Sequence, residues 1–368
     1  CQSALKMNTL KRILIQLSIG ANIMAAFMLW ACGLSSGLNP AVHSHAALFG
    51  LGFPLLLLLN IAFIFFWLVF SIRYVWLPFV GMLLSVSYIY DYCPVNWPEK
   101  RPEDALKLLT YNTEFLARGE KNAEGRYPIL DYLVASEADI ICLQEGVAPK
   151  NLKSEYVDSI MAKAGYHIRR LHDGKAEPQF VYSSLPILSV HRIAYESTTN
   201  GSLAVELLYG QDTVLLVNNH LESYKLTPED KMKYKEIIKD PENGHAESNS
   251  RELVRKMAGA SRLRGPQVDS VLNYVEKSGR RAVIVCGDLN DSPISYSCHR
   301  LSSRLKSAFR QSGNGLGLSY NQKGFYFRID HIFVSDYWQT YETHVDKTAP
   351  WSDHYPMITY LKKHKKED

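Results

Sequence analysis

Asp288, Asn290 and Asp291 fall within four positions of one another in VIVCGDLNDSPIS, residues 283–295, straight after an apolar run that reads as a buried strand. Asp, Asn, Gly and Pro are the usual turn residues, so one reading is an ordinary turn. The other is a catalytic edge, where a rigid strand holds polar groups at its carboxyl end. Other strand candidates end the same way. LLTYNTE ends in Asn112 and Glu114, IICLQE in Glu145, and LLVNNHLES in Asn219, His220 and Glu222. FRID carries Asp330, and WSDHYPM presents Asp353 and His354 just before the last strand candidate. Each alone passes as a turn residue, a core histidine or a helix cap. Six such endings in one domain are poorly explained as six separate turns.

The residue types fit one reaction. Hydrolysis of a phosphate ester needs a hard cation held by oxygen ligands, a polarised water, and donors for the charge on the phosphoryl oxygens. Glu145 and Glu114 supply oxygen ligands, and the absence of a Cys or His cluster favours Mg²⁺ or Mn²⁺ over zinc. Asp288 is suited to orient or deprotonate the attacking water, and Asn290 to donate to a phosphate oxygen. His220 and His354 are suited to donate to non-bridging oxygens or to protonate a leaving group. Asp291 and Ser292, before Pro293, read as a structural turn.

The segments that must carry these groups occupy only part of the 368 residues. Hydrophobic residues make up 46% and charged residues 21%, but the first ninety positions are nearly free of charge. Residues 13–32 and 47–70 are uncharged runs long enough to span a bilayer, which takes roughly 20 apolar residues. A third, shorter run covers 75–90 and is expected to cross as well. Two further apolar runs and the lack of a small-residue cleavage site argue against a cleaved signal peptide. Lys6, Lys11 and Arg12 precede the first run and Arg73 follows the second, with no Lys or Arg between the two. The positive-inside rule then places the N-terminus in the cytoplasm and, after three passes, everything beyond Tyr90 on the extracytoplasmic side of an inner or plasma membrane. Met7 opens MNTLKRILIQ, so the six residues before it are expected to be an upstream extension or a misjudged start.

Residues 91–104, with three prolines, read as a linker to a domain at 105–368 in which short β-rich runs alternate with amphipathic helices. Strands are expected at LKLLTYN, ADIICLQE, FVYSSLPILSV, LAVELLYG, TVLLVNNHLE, RAVIVCGDLN, RIDHIFVSD and YPMITYL. Residues 209–212 should turn a hairpin. EGRYPILDYLVASE and RGPQVDSVLNYVEKSG read as helices, and the charged stretch 226–264 as part helix and otherwise exposed. The six cysteines have no CxxC spacing, which excludes a zinc pattern or dense disulfide framework, and Cys142 and Cys286 are expected to be buried thiols.

YNTE, LQEG, NNHLES, GDLND, RIDHIF and SDHYP, in this order over residues 106–361, resemble the endonuclease/exonuclease/phosphatase superfamily. The resemblance implies a four-layer α/β sandwich of two mostly antiparallel sheets flanked by helices. It also implies roles. Glu145 would be the principal metal ligand, with Asn112 beside it orienting phosphate or metal-bound water, and Glu114 would fall where some members place a metal-side Asp. Asp288 would position the nucleophilic water and Asn290 would meet the phosphate. His354 would sit on the scissile phosphate, oriented by Asp330, and Asp353 would be a further metal-side carboxylate. His220 would match the histidine of the family's THL or SHL motif, written NHL here, with Asn219 in place of Ser or Thr.

Substrate identity is less legible. A net charge of +4 neither demands nor excludes nucleic acid. A nuclease groove would draw on Arg169, Arg170, Lys175 and the basic run at 261–265. The membrane anchor favours a phospholipid headgroup over DNA, with the bilayer as the surrounding partner and no stable protein partner expected. A catalytically silent binding domain would be expected to lack part of the acid, amide and histidine set. A transporter finds little support in spans without an intramembrane charge pair.

Overall fold

The computed structural model describes residues 2–170, 179–197, 199–240, 242–322 and 325–364, so Cys1 and Lys175 lie outside the described residues. The strands in chain order are β1 (Leu106–Asn112), β2 (Ile140–Gln144), β3 (His167–Arg170), β4 (Phe180–Ser183), β5 (Ile187–Ile193), β6 (Gly201–Tyr209) and β7 (Asp212–His220). They continue with β8 (Ala282–Asp288), β9 (Lys306–Ser307), β10 (Tyr320–Gln322), β11 (Phe325–Phe327), β12 (Asp330–Val334), β13 (Trp338–Val345) and β14 (Met357–Lys363). One sheet runs β13-β14-β1-β2-β4-β3 and the other β5-β6-β7-β8-β12-β9, while β10 and β11 form a separate hairpin. Within them β1–β2 and β7–β8 are parallel and the remaining pairs antiparallel.

Three apolar layers make this a four-layer sandwich. Leu108, Ile140, Cys142 and Val181 of the first sheet interdigitate with Val205, Leu216, Ile284 and Cys286 of the second. The outer face of the first sheet is covered by helices Pro128–Ala135 and Ser154–Lys163, through Leu130, Leu133, Val157 and Met161. The outer face of the second is covered by helices Ala246–Ser278 and Tyr296–Ser302, through Val268, Val271, Cys298 and Leu301. Central strands covered on both faces read as unbroken apolar runs, which is why VIVC and LLV stand out in the sequence. Cys142 and Cys286 are fully buried, as expected.

The hairpin β6–β7 turns at Gly210 (φ +61°) with Tyr209 opposite Asp212, as its sequence indicates. FVYSSLPILSV, read as one strand, is two: β4 and β5 belong to different sheets, and the chain changes sheet around Pro186, which cannot donate to a ladder. The 226–264 stretch corrects a second expectation. It holds helix Pro228–Lys239 and the first half of Ala246–Ser278, and Leu253, Ala258, Ala260, Ser261 and Arg264 are buried. The long helix also runs through Pro266, where the sequence suggested a helix start; the residues it buries on both sides outweigh the roughly 3 kcal/mol cost of an interior proline.

What buries that stretch is the N-terminal region. Helices Gln2–Leu34 and Phe53–Phe70 are long and apolar enough to cross a membrane, and residues 72–92 form a pair bent by 68° at a break around Ser85. Residues 35–52, between the first two, dock on the catalytic side. A Cβ on Gly50 would lie 2.1 Å from the Ile294 carbonyl oxygen, and one on Gly265 would lie 2.8 Å from Pro40. At the other end Arg328 donates to the Asp91 and Tyr92 carbonyls, and Asn96 donates to the Arg310 and Gly313 carbonyls. Residues 35–52 and 91–96 therefore both lie against the same folded domain.

Candidate active site

Register brings the polar strand ends together. In the second sheet His220 of β7 and Asp330 of β12 both stand opposite Asp288 of β8. In the first, Asn112 of β1 stands opposite Gln144 of β2, so Glu145 is the next residue out. Two rows from facing sheets thus meet at one rim. Asn112 Nδ2 bridges them, donating to Glu145 Oε1 at 3.2 Å and to Asp288 Oδ2 at 3.1 Å. His220 Nε2 lies 3.7 Å from both Glu145 Oε1 and Asp288 Oδ2. Facing it, His354 Nε2 is also 3.7 Å from Asp288 Oδ2, and its Nδ1 bonds Asp330 Oδ2 at 2.8 Å.

These groups are buried, and burial sets their charges. Desolvation is the largest influence on Asp288 and pushes it up to about 6 despite the neighbouring histidines. Burial alone would lower His354, but the Asp330 and Asp288 carboxylates override it and hold the imidazolium up to about 10. Asp330 is desolvated yet stays below the usual range, because His354 pairs with it. His220 is pushed down by burial, so it presents a neutral ring. The site at neutral pH therefore holds an ionised Asp288 beside a cationic His354 that Asp330 orients.

The other expected residues lie close by. Asn290, in left-handed backbone at φ +51°, donates its backbone N–H to Asp288 Oδ1 at 2.8 Å and its amide to the Leu221 carbonyl at 3.0 Å. Asp353 Oδ2 accepts from Gln322, and Glu114 pairs with Arg118. Both carboxylates line the same cavity, of about 740 Å³, as Asn112, Glu145, His220, Asp288, Asn290 and His354. A cavity of about 830 Å³ against the linker, lined by Trp97 and Glu342, receives none of the site residues.

The donor set fits a hard divalent cation: Glu145, Glu114 and Asp353 offer carboxylate oxygens, and no thiolate lines the cavity among the described residues. The tightest ligand cluster differs from that set, since Asp288, Asp330 and His354 offer atoms within 4.8 Å of one another. Two of them are joined in the Asp330–His354 hydrogen bond, and a ring held cationic repels a metal ion.

Sequence reading missed the supports. Gln144 donates to Asn218 Oδ1 at 2.6 Å, and Asn218 Nδ2 donates to the Leu143 and Phe180 carbonyls of the opposite sheet. This buried amide pair pins the sheets together directly beneath the rim; an amide inside an apolar strand run was its only signal. Asn219 points the other way, donating to Cys286 O and accepting from Ser202, so it serves the second sheet rather than the site. Residues 114–118 form one left-handed turn with φ between 46° and 57°, closed by Ala117 N–H to Thr113 O at 2.8 Å. Each such residue costs about 1–2 kcal/mol. The turn puts Glu114 and Phe115 on the cavity wall, the kind of place where strain is retained. Asp291, expected to be part of a structural turn, accepts from Ser297, lies 3.6 Å from Arg264 and also lines the cavity. Arg264, one of the basic residues considered for nucleic acid, is instead fully buried over the Tyr224 ring.

The sequence model of the Endonuclease/Exonuclease/phosphatase family matches residues 109–354, and that of a domain of unknown function matches residues 11–92. No curated protein matches the chain. Solved structures similar to it include the human Nocturnin catalytic domain with bound sulfate, at 17% identity over 71% of this chain and 94% of that one, TM-score 0.48. Truncated TDP2 from Caenorhabditis elegans matches at 16% identity over 70% and 98%, TM-score 0.48. The 3'-5' exonuclease NExo from Neisseria meningitidis matches at 17% identity over 69% and 98%, TM-score 0.47.

Proposed function

The chain belongs to the Endonuclease/Exonuclease/phosphatase family, and from that premise we propose that it is a membrane-anchored, divalent-metal-dependent hydrolase of phosphoester bonds. The observation that carries the reading is the meeting of Asn112 and Glu145 from one sheet with His220, Asp288 and the Asp330–His354 pair from the other. Such a set has little structural purpose, because burying four ionisable groups, His220, Asp288, Asp330 and His354, beside Glu145 costs stability that packed apolar residues would not.

Asp288 accepts a proton from the attacking water as the water oxygen bonds to phosphorus. The bond from phosphorus to the leaving oxygen breaks, and that oxygen leaves as an alcohol after taking up a proton. The His354 imidazolium, held in place by Asp330, donates from Nε2 to a phosphoryl oxygen where charge develops. His220 and the amide of Asn290 provide further donors around the same phosphate, while Asn112 holds Glu145 and Asp288 in place. Glu145 would hold the cation, Mg²⁺ or Mn²⁺, and Glu114 and Asp353 of the same cavity would offer further carboxylate oxygens. When bound, the cation neutralises phosphoryl charge and lowers the pKa of water.

Topology follows from the docking. Residues 35–52 and 91–96 both rest on the catalytic domain, so the bent segment 72–92 brings the chain back to the side from which helix Phe53–Phe70 departs. With Lys11 and Arg12 at the cytoplasmic end of the first helix, the domain stands on the extracytoplasmic side.

The test uses the full chain in detergent with bis-p-nitrophenyl phosphate. Turnover should require Mg²⁺ or Mn²⁺, stop with EDTA, and fall to background in Glu145→Ala. Near-normal rates in Glu145→Ala would remove the proposed metal site, and no metal-dependent turnover by folded protein would leave a silent binding domain. A C-terminal reporter should read out only outside the cytoplasm; a cytoplasmic signal would overturn the three-pass topology.

A further inference from the structure

The active-site cavity has a second half whose chemistry the hydrolytic reaction does not need. Beyond the polar rim its wall becomes apolar: Leu253, Val254 and Met257 of helix Ala246–Ser278 on one side, and Phe325 and Phe327 of the β10–β11 hairpin on another. Tyr234, from helix Pro228–Lys239, stacks on Phe325 at 4.8 Å and joins these two walls. The third wall belongs to the membrane region. Leu51, Pro54 and Leu55 line the cavity at the start of helix Phe53–Phe70. Leu55 and Leu58, 71% and 61% exposed, follow one another at helical spacing, so the cavity wall continues into the outer surface of a helix long and apolar enough to span a bilayer. Met232, Ile238 and Tyr326 stand exposed on the helix and hairpin that border the cavity. In water, a contiguous apolar surface of this kind marks a site that something apolar covers.

We propose that the substrate is a membrane lipid phosphoester, with its phosphate at Asp288 and His354 and its hydrocarbon portion along the apolar half of this cavity. The assignment rests on the hydrolase reading above and names its substrate class. The cavity of about 740 Å³ is in the range that takes one small amphiphile. Cations line the same cavity, Arg118 paired with Glu114 and Lys225 with Glu222 at 2.7 Å. Lys231 Nζ bonds the Tyr320 hydroxyl at 3.0 Å, and the Tyr320 ring lies edge-on to His354. That order, apolar wall, cations, catalytic rim, matches a lipid that enters phosphate-first from the bilayer and leaves its chains on the apolar wall. A nucleic-acid strand would instead need a basic track leading away from the rim, and on this side the path is walled by leucines of the membrane helix.

The experiment compares matched headgroups with and without acyl chains. The full chain, in vesicles of mixed phosphatidylethanolamine, phosphatidylglycerol and phosphatidylinositol, is assayed with Mg²⁺ against the corresponding deacylated glycerophosphodiesters, single-stranded DNA and bis-p-nitrophenyl phosphate. At least one lipid should turn over tenfold or more faster than its deacylated counterpart. Val254→Asp and Met257→Asp should each lower the ratio of lipid to small-diester turnover by about tenfold, in the range for changes in an apolar pocket. Equal rates on lipid and deacylated diester, or faster cleavage of DNA than of any lipid, would overturn the lipid assignment and leave the hydrolase standing. Failure on bis-p-nitrophenyl phosphate as well would overturn the hydrolase reading itself. A phospholipid with a photoactivatable acyl chain provides a readout independent of turnover: it should crosslink to residues 253–257, and labelling confined to the membrane helices would also overturn the assignment.

Discussion

In the N-terminal helices the buried side chains include polar ones. Trp67 Nε1 donates to Asn22 Oδ1 at 2.8 Å, and Asn60 Nδ2 donates to the Ala25 and Leu56 carbonyls, while Leu17, Phe27, Leu55, Phe65 and Val69 face outward. In the catalytic domain Leu, Ile and Val fill three layers, and the buried polar groups include a row at one rim and an amide pair that pins the sheets just beneath it. The contrast follows from the surroundings. Helices in hydrocarbon gain nothing by hiding leucine and associate through small residues and polar contacts, whereas a domain in water is held by apolar burial. It teaches where to look for substrate, because the site cavity is the one place described here where catalytic carboxylates and an outward-facing leucine surface share a wall.

Breaking the polar rim should have the largest effect. Glu145→Ala should reduce metal-dependent turnover to background, a loss of at least about 10³-fold, with the thermal midpoint little changed because the side chain is partly exposed at the rim. Next, Asp288→Asn and His354→Ala should each lower kcat by about 10²-fold or more, measured on bis-p-nitrophenyl phosphate. The same groups set the pH profile. Asp288 works as a base only when ionised, and its pKa is raised to about 6, so activity should hold at neutral pH and fall about tenfold per unit below about pH 6. A rate independent of pH between 5 and 7 would remove Asp288 as the base.

Smaller effects probe the seam and the membrane side. Gly50→Val places atoms on the Ile294 carbonyl, so the docking of residues 35–52 should loosen at a cost of about 1–3 kcal/mol, read as earlier proteolysis between the two regions. An unchanged digestion pattern would mean that the seam is not rigid. Trp67→Phe removes one polar contact among the helices and should cost only about 0.6 kcal/mol in unfolding measured in detergent micelles. A cost several times larger would mean that these helices pack as a water-soluble core does.

Much of the site was legible because chemistry-bearing residues interrupt apolar runs. VIVC before Asp288, ILIQL through the first helix and LLLLLNIAFIFF through the second announce their settings by composition alone. The supports were not legible. Asn218 and Gln144 look like ordinary strand residues until two sheets face each other, and Arg264 looks like surface charge until residues 35–52 cover its helix. The left-handed turn at 114–118 contains no glycine to signal it, and its conformation is imposed by Thr113, the Glu145 carbonyl and burial of Leu116.

Local order and composition, carried by hydrophobic period and by residue type, therefore determined most of the strands, the apolar helices and the polar strand ends proposed to react. Only the tertiary structure decided that β7, β8 and β12 align His220, Asp288 and Asp330 in one row, that Asn112 joins this row to Glu145 across two sheets, and that the apolar helix Phe53–Phe70 supplies part of the cavity wall. Those are contacts between residues tens to hundreds of positions apart. Their geometry depends on strand register and layer packing, which no short stretch of sequence contains.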